Sequence, residues 1–207
     1  MVYIPKEFKE EDMKQMIKEI KQTGFGILLS NSQGQGNRIA ATHLPFIIHE
    51  ELGKLYLITH LAKPNPQWKT LDGEECLVIF QGPHAYVSAS WYEEKNTVST
   101  WNYTAIHVYG KVSVINEVNK MREIVLHTTD YFEKDMAEKW QYEEHSEYVE
   151  KLLSGIVCLK IEVTECMGKK KLSQNHSIDR REKVISALEN EKKYDSKEIA
   201  ELMKERL

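Results

Sequence analysis

Residues Trp101 to Ile115 constrain the fold more tightly than any other stretch of the chain. Ile106, Val108, Val112 and Val114 alternate with His107, Tyr109, Lys111 and Ser113. A period of two places successive side chains on opposite faces of a β-strand. One face therefore belongs to a core, and the other is half-polar surface, ligand pocket or subunit interface.

Other stretches read as strands: Phe25 to Ser30, the run from Arg38, Leu55 to His60, Cys76 to Phe80 resuming at Ala85 to Ser88, and Gly155 to Val163. The first three lie close together, so an antiparallel meander is expected. Asn31 to Asn37 reads as a turn. Gly34 and Gly36 there do not make a P-loop, because no helix and no Lys-Ser/Thr pair follows. Gln81-Gly82-Pro83 is expected to break or bulge its strand. Met13, Met16, Ile17 and Ile20 recur at helical spacing, and Gly24 suits the left-handed C-cap. A short helix is expected over Asn65 to Leu71, with Pro66 in its first turn. A helical middle begins near Met121, with one or two further helices around Met136, Trp140 and Tyr148 to Leu153. Two more helices follow, capped by Ser177 or Asp179 and by Asp195 or Ser196.

Strands come first and helices later, without alternation. That argues against a doubly wound parallel sheet and for an α+β chain, a small six-stranded antiparallel barrel with peripheral helices. Residues 1–175 are expected to form the barrel domain and residues 176–207 a helical C-terminal extension.

With a formal net charge of −4, the chain as a whole has no pull toward nucleic acid or anionic membrane. Lys169-Lys170-Lys171 and Arg180-Arg181 leave DNA possible locally, but a solvated helical tail is the favoured reading. No signal-peptide core and no run approaching ~18 apolar residues is visible, so no membrane association is expected. Cys76, Cys158 and Cys166 are an odd set without metal-type pairing, which fits free thiols in a reducing cytoplasm.

Four histidines, His43, His60, His84 and His107, fall in or beside the strands, without the H-x-H or H-E-x-x-H spacing of a metal site, so no metal is expected. No nucleophile elbow, Cys-His pair or cleft carboxylate pair nominates a catalytic residue. If the chain catalyses a reaction, a cofactor carries the chemistry. Polar groups do collect where strands end. Lys63 and Asn65 lie just past His60, with Arg38 opening the preceding strand. They read either as a phosphate socket or as an exposed turn that happens to carry a lysine. Trp101-Asn102-Tyr103 reads either as a stacking surface for a planar ring or as a barrel plug.

Several motifs occur in one order: Tyr3-Ile4-Pro5-Lys6, Ala41-Thr42-His43-Leu44-Pro45, the run from His60 through Lys63 and Asn65 to Trp68, Phe80-Gln81-Gly82-Pro83-His84-Ala85-Tyr86, Thr100-Trp101-Asn102-Tyr103 and Lys171-Leu172-Ser173-Gln174-Asn175. Together they resemble the PaiB family of bacterial FMN-binding transcriptional regulators, from Tyr3 to about Leu188. The resemblance implies an FMN-binding split barrel, similar to pyridoxamine-phosphate oxidase and flavin reductases. It also implies a homodimer with flavin sites at the subunit interface. By position, His60, Lys63 and Asn65 would hold the flavin phosphate. Arg38, Thr42 and His43 would lie near the ring or ribityl chain. Trp101 and Asn102 would come from the later strand, and Lys171, Gln174 and Asn175 from a loop closing over the site. The implied function is an FMN-binding negative transcriptional regulator, a repressor of sporulation and degradative-enzyme genes. The alternative is an FMN-dependent oxidoreductase similar to flavin reductases.

Overall fold

The computed structural model describes residues 2–32, 38–138, 140 and 147–207. In chain order the elements are β1 (Lys9–Glu10), α1 (Met13–Thr23), β2 (Phe25–Ser32), β3 (Arg38–Pro45), β4 (Ile47–Glu51), β5 (Lys54–Ala62), a 3-10 helix (Pro66–Thr70), β6 (Glu75–Val87), a 3-10 turn (Ala89–Tyr92), β7 (Thr100–Ile115), α2 (Val118–Glu133), α3 (Glu147–Ser154), β8 (Ile156–Lys171), α4 (Ile178–Asn190) and α5 (Ser196–Lys204). Of the turn expected over Asn31 to Asn37, Asn31 and Ser32 belong to β2, and residues 33–37, like the middle of the segment around Trp140, lie outside the described residues.

Among the described residues the sheet has eight strands, not six. Its path, β3-β2-β6-β7-β8-β5-β4 with β1 beside β8, is open rather than closed. The expected meander is corrected as well. The run from Arg38 is two strands: β3 pairs antiparallel with β2, β4 pairs antiparallel with β5, and the two stand at opposite ends of the path. The break has a local cause. Pro45 has no N–H to continue a ladder. The next residue, Phe46, is buried, and its N–H donates to the Gly24 carbonyl at 2.8 Å. Thr59 Oγ1 donates to the Pro45 carbonyl at 2.6 Å, which fixes the corner.

Two further expectations change. β6 runs unbroken through Gln81-Gly82-Pro83. Gly82 is required there, because a Cβ would lie 2.0 Å from Thr104 Oγ1. β8 continues well past Val163 and takes in Lys169, Lys170 and Lys171, so these lysines belong to a strand and not to a loop. The helix expected around Met136 and Trp140 does not form, since both residues lie between α2 and α3 outside any helix. β1 and the Ala89–Tyr92 turn were not expected; the helices near Met13, Asn65, Met121, Tyr148, Ser177 and Ser196 form where expected. Gly24 ends α1 at a φ of 60°, and Asn65 caps the short helix through Gln67 N. β7 buries alternate residues from Asn102 to Val112.

Contacts divide the chain into two units. The first comprises residues 17–79 and 108–166. It holds β2 to β5 whole, together with α2 and α3. Leu28, Phe46, Leu57, Val78, Val112 and Ile161 are buried within it, and Met121, Val149, Leu153 and Cys158 form a cluster beneath its helices. The second comprises residues 1–16, 80–107 and 167–207. Here α4 and α5 share one core with β6: Val184, Leu188, Ile199 and Met203 pack with Ala85, Val87, Tyr92 and Leu172. On its β1–β8 ladder, Lys170 forms an ion pair with Glu10 at 3.0 Å, and Arg206 reaches the same carboxylate at 2.5 Å.

Among the described residues no helix is long and apolar enough to cross a membrane, and no cluster of His, Cys, Asp and Glu could hold a metal ion.

Candidate functional site

Among the described residues, each unit carries a notable cavity. In the first unit it lies between β3 and the 3-10 helix, with a volume of about 460 Å³. Arg38, Thr42, Asn65, Gln67, Lys69 and Thr70 contribute its polar lining.

The wall is held by a chain of hydrogen bonds. Pro66 starts the 3-10 helix, whose first amides need acceptors. Asn65 Oδ1 supplies one, accepting from Gln67 N at 3.0 Å. Asn65 Nδ2 donates to Thr42 Oγ1 at 2.9 Å, and Thr42 Oγ1 donates to Gln67 Oε1 at 2.6 Å. Gln67 Nε2 donates to the Leu28 carbonyl at 3.2 Å and to Ser30 Oγ at 3.1 Å. Gln67 is buried, and its amide fastens the helix to β2 and β3. Sequence reasoning did not nominate it. The available signal was the Asn-Pro-Gln order, a cap and an N1 proline that turn the third side chain back toward the strands.

These bonds commit the Thr42 and Asn65 side chains to building the wall. Arg38 and Lys69 are different. Both are exposed, both line the cavity, and neither has a carboxylate partner among the described residues. Lys69 was likewise not nominated from the sequence.

The structure brings Arg38, Thr42 and Asn65 together, but His43, His60 and Lys63 do not line this cavity. His43 points to the exposed side of β3 and stacks on Phe25, with ring centroids 6.2 Å apart. His60, on β5, has a buried Nδ1 without a hydrogen-bond partner among the described residues, and burial pushes its pKa below the ordinary value. It is therefore neutral at neutral pH and brings no positive charge. Lys63 Nζ reaches the Ser154 carbonyl at 3.4 Å, while its backbone N–H donates to Gly155.

The remaining nominated residues lie in the second unit. Asn102 is fully buried, and its amide bonds to Ser173 Oγ at 3.0 Å and meets Met203 Sδ at 3.3 Å. Gln174 turns back on its own segment, accepting from Leu172 N at 2.7 Å and donating to the Lys170 carbonyl at 2.6 Å. Trp101 is partly exposed in an aromatic group with His84, Tyr86 and Tyr194, closest to Tyr194 at 4.9 Å. Lys171 and Asn175 line the second unit's cavity, of about 330 Å³.

The two basic clusters are largely engaged within the second unit. Lys170 is buried against Glu10, Arg180 pairs with Glu94, and Arg181 is buried with its guanidinium on the Met203 and Arg206 carbonyls.

Comparison with known proteins gives a consistent result. A family described as "Putative FMN-binding domain" matches residues 2–165. The "Protease synthase and sporulation protein PAI 2" of Bacillus subtilis is 38% identical over 208 residues, covering 100% of this chain and 98% of that protein. An uncharacterised protein of Emericella nidulans is 30% identical, with 81% and 82% of the two chains covered. Among solved structures, an FAD and heme binding protein from Mycobacterium smegmatis aligns at a TM-score of 0.61 and 15% identity, over 86% of this chain and 79% of that one. The flavocytochrome Anf3 from Azotobacter vinelandii aligns at 0.57 and 13%, over 79% and 69%. At these identities the two structures show a shared fold and nothing finer.

Proposed function

The chain belongs to the family described as "Putative FMN-binding domain", with a flavin as its cofactor, and from that premise we propose that it is an FMN-binding regulatory protein whose flavin phosphate sits between β3 and the Pro66–Thr70 helix. The observation that carries this reading is the pair of cations, Arg38 and Lys69, that line one cavity and have no carboxylate partner among the described residues. A phosphate carries close to two negative charges and accepts several hydrogen bonds. Two cations, with no carboxylate among the described lining residues, fit that group. Gln67, Asn65 and Thr42 position the wall, while Arg38 and Lys69 supply the charge.

A bound flavin would supply electron-accepting and electron-donating chemistry. Among the described residues the cavity lining contains no carboxylate, histidine or cysteine, so these residues offer no acid, base or nucleophile of their own. That supports binding over turnover. The regulatory part of the proposal, a repressor acting on gene expression, is supported by the full-length likeness to a relative named for protease synthesis and sporulation. A homodimer forms part of the same proposal. Phe25 is 54% and Ile39 is 68% exposed on the outward side of β2 and β3, beside the half-buried Ile27 and Leu29. A largely apolar strand face of this kind, with His43 stacked on Phe25 within it, is suited to a second copy.

The test is an absorbance scan of purified protein through the flavin bands, before and after adding FMN. Saturable binding with a shifted flavin spectrum is expected. No binding after reconstitution would end the proposal. Anaerobic bleaching of bound flavin by NADH or NADPH, faster than that of free FMN, would favour the oxidoreductase alternative.

A further inference from the structure

The second unit's cavity holds charge and polarity that the fold itself does not use. Phe8, Tyr92, Thr100, Lys171, His176 and Arg180 are among its lining residues. Lys171 Nζ donates to Thr100 Oγ1 at 2.5 Å and to the Trp101 carbonyl at 2.6 Å, both neutral acceptors. No carboxylate partners this half-buried ammonium among the described residues, and the charged neighbour that acts on it is another cation, Lys169. Of the other cations nearby, Arg180 pairs with Glu94 and Lys183 with Glu93 and Asp179, while Lys169, which does not line the cavity, donates to the Tyr3 carbonyl and lies over the Tyr3 and Tyr103 rings. Burial pushes His176 below its ordinary pKa, so it is neutral at neutral pH. The lining therefore carries one unmatched positive charge.

A second observation points the same way. Tyr92 is 1% exposed and lines the cavity, and its hydroxyl has no hydrogen-bond partner among the described residues. Native proteins rarely leave a buried hydroxyl unbonded or a half-buried charge without a counter-charge, because the hydration each gives up is then not fully replaced. The remaining walls are apolar or planar. Phe8 and the Tyr92 ring contribute, with the His176 ring 5.3 Å and the Arg180 guanidinium 5.6 Å from the Tyr92 ring centre.

We propose that this cavity binds a small organic monocarboxylate, its charge on Lys171, its second oxygen accepting from the Tyr92 hydroxyl, and its apolar body against Phe8 and the Tyr92 ring. One unmatched cation calls for a monoanion rather than a phosphate dianion. At about 330 Å³ the cavity suits a ligand of benzoate size and lies near the lower limit of ~300 Å³ for small-molecule pockets. The proposal does not depend on flavin binding in the first unit.

The experiment is calorimetric titration of flavin-free, full-length protein with sodium benzoate, with benzamide as the neutral isostere. Each titration is repeated with saturating FMN. Saturable benzoate binding is expected, with benzamide weaker by about tenfold or more. Lys171→Met should weaken benzoate by about ten- to a hundredfold. Tyr92→Phe should weaken it several-fold while the melting temperature holds or rises, because the substitution removes an unpaired hydroxyl. If Lys171→Met does not fold, Tyr92→Phe alone carries the test. FMN should leave benzoate affinity unchanged. Absence of saturable benzoate binding at millimolar concentration would overturn the proposal. Equal binding of benzamide, or affinity indifferent to the substitutions, would do the same. Competition by FMN would overturn it by assigning the cavity to the flavin. Failure of FMN itself to bind is read separately, from the flavin absorbance, and leaves the benzoate result standing.

Discussion

Gln67 is 5% exposed, and its one side-chain amide bonds to β2 and β3. An apolar replacement of similar size would leave the Thr42 hydroxyl and the Leu28 carbonyl without that partner. Gln67→Leu is expected to cost about 1–3 kcal/mol of stability and to weaken FMN several-fold, because Lys69 and Thr70 lose their anchor. Urea denaturation and an FMN titration of the same variant check both parts. Unchanged stability would show that the network does not hold the wall. At this scale the sequence was half informative. Arg38, Thr42 and Asn65 were legible as polar groups at strand ends. Gln67 was not, since a glutamine beside a proline looks like surface until the strand it reaches is known. The ammonium of Lys63 also looked like a phosphate ligand, but a lysine pattern does not reveal that a neighbouring carbonyl, here that of Ser154, lies within reach.

Among the elements, β1 has two residues yet carries a buried ion pair. Burial pushes the Glu10 carboxyl up, but the Asp12 backbone N–H, Lys170 and Arg206 outweigh it and hold the group below the usual carboxylate range. A depressed folded value means that the contribution is complete above the unfolded pKa of about 4.3. It is lost as pH falls through the folded value. Glu10→Gln should therefore cost about 3 kcal/mol at neutral pH, where buried Lys170 loses an ionic partner. The loss should be much smaller at about pH 3. Urea midpoints at the two pH values test this, and an equal loss at both would contradict it. The pairing was hidden in the sequence. Lys169-Lys170-Lys171 reads as a solvated basic run unless β8 is known to extend that far, and then period two turns Lys170 inward. The same limitation applies to β3 and β4. Their alternation was visible, but the partner of each was not, because a proline corner sends them to opposite ends of the sheet path.

For the whole molecule, the order of motifs along the chain was sufficient to identify the family, and the strand-then-helix order was sufficient to identify the α+β class. The strand count and the sheet order were not legible, since they depend on pairings between residues far apart in sequence. The proposed homodimer belongs at this scale. Light scattering should report a dimer for the parent protein. Replacing Ile39 with Lys together with Phe25 with Ser should shift it toward monomer while preserving the melting transition, because both side chains are already exposed in the single chain. A monomeric parent, or a dimer indifferent to the two substitutions, would place the interface elsewhere or remove it.

The most direct measurement compares FMN with riboflavin, which differs from it only in lacking the phosphate. The parent protein should bind FMN more tightly than riboflavin by about a hundredfold, the worth of two charge-assisted contacts to a phosphate. In the Arg38→Ala, Lys69→Ala double variant that preference should fall to near equality, with riboflavin affinity little changed. An undiminished preference for FMN in the folded double variant would contradict the assignment of the flavin phosphate to the cavity between β3 and the Pro66–Thr70 helix.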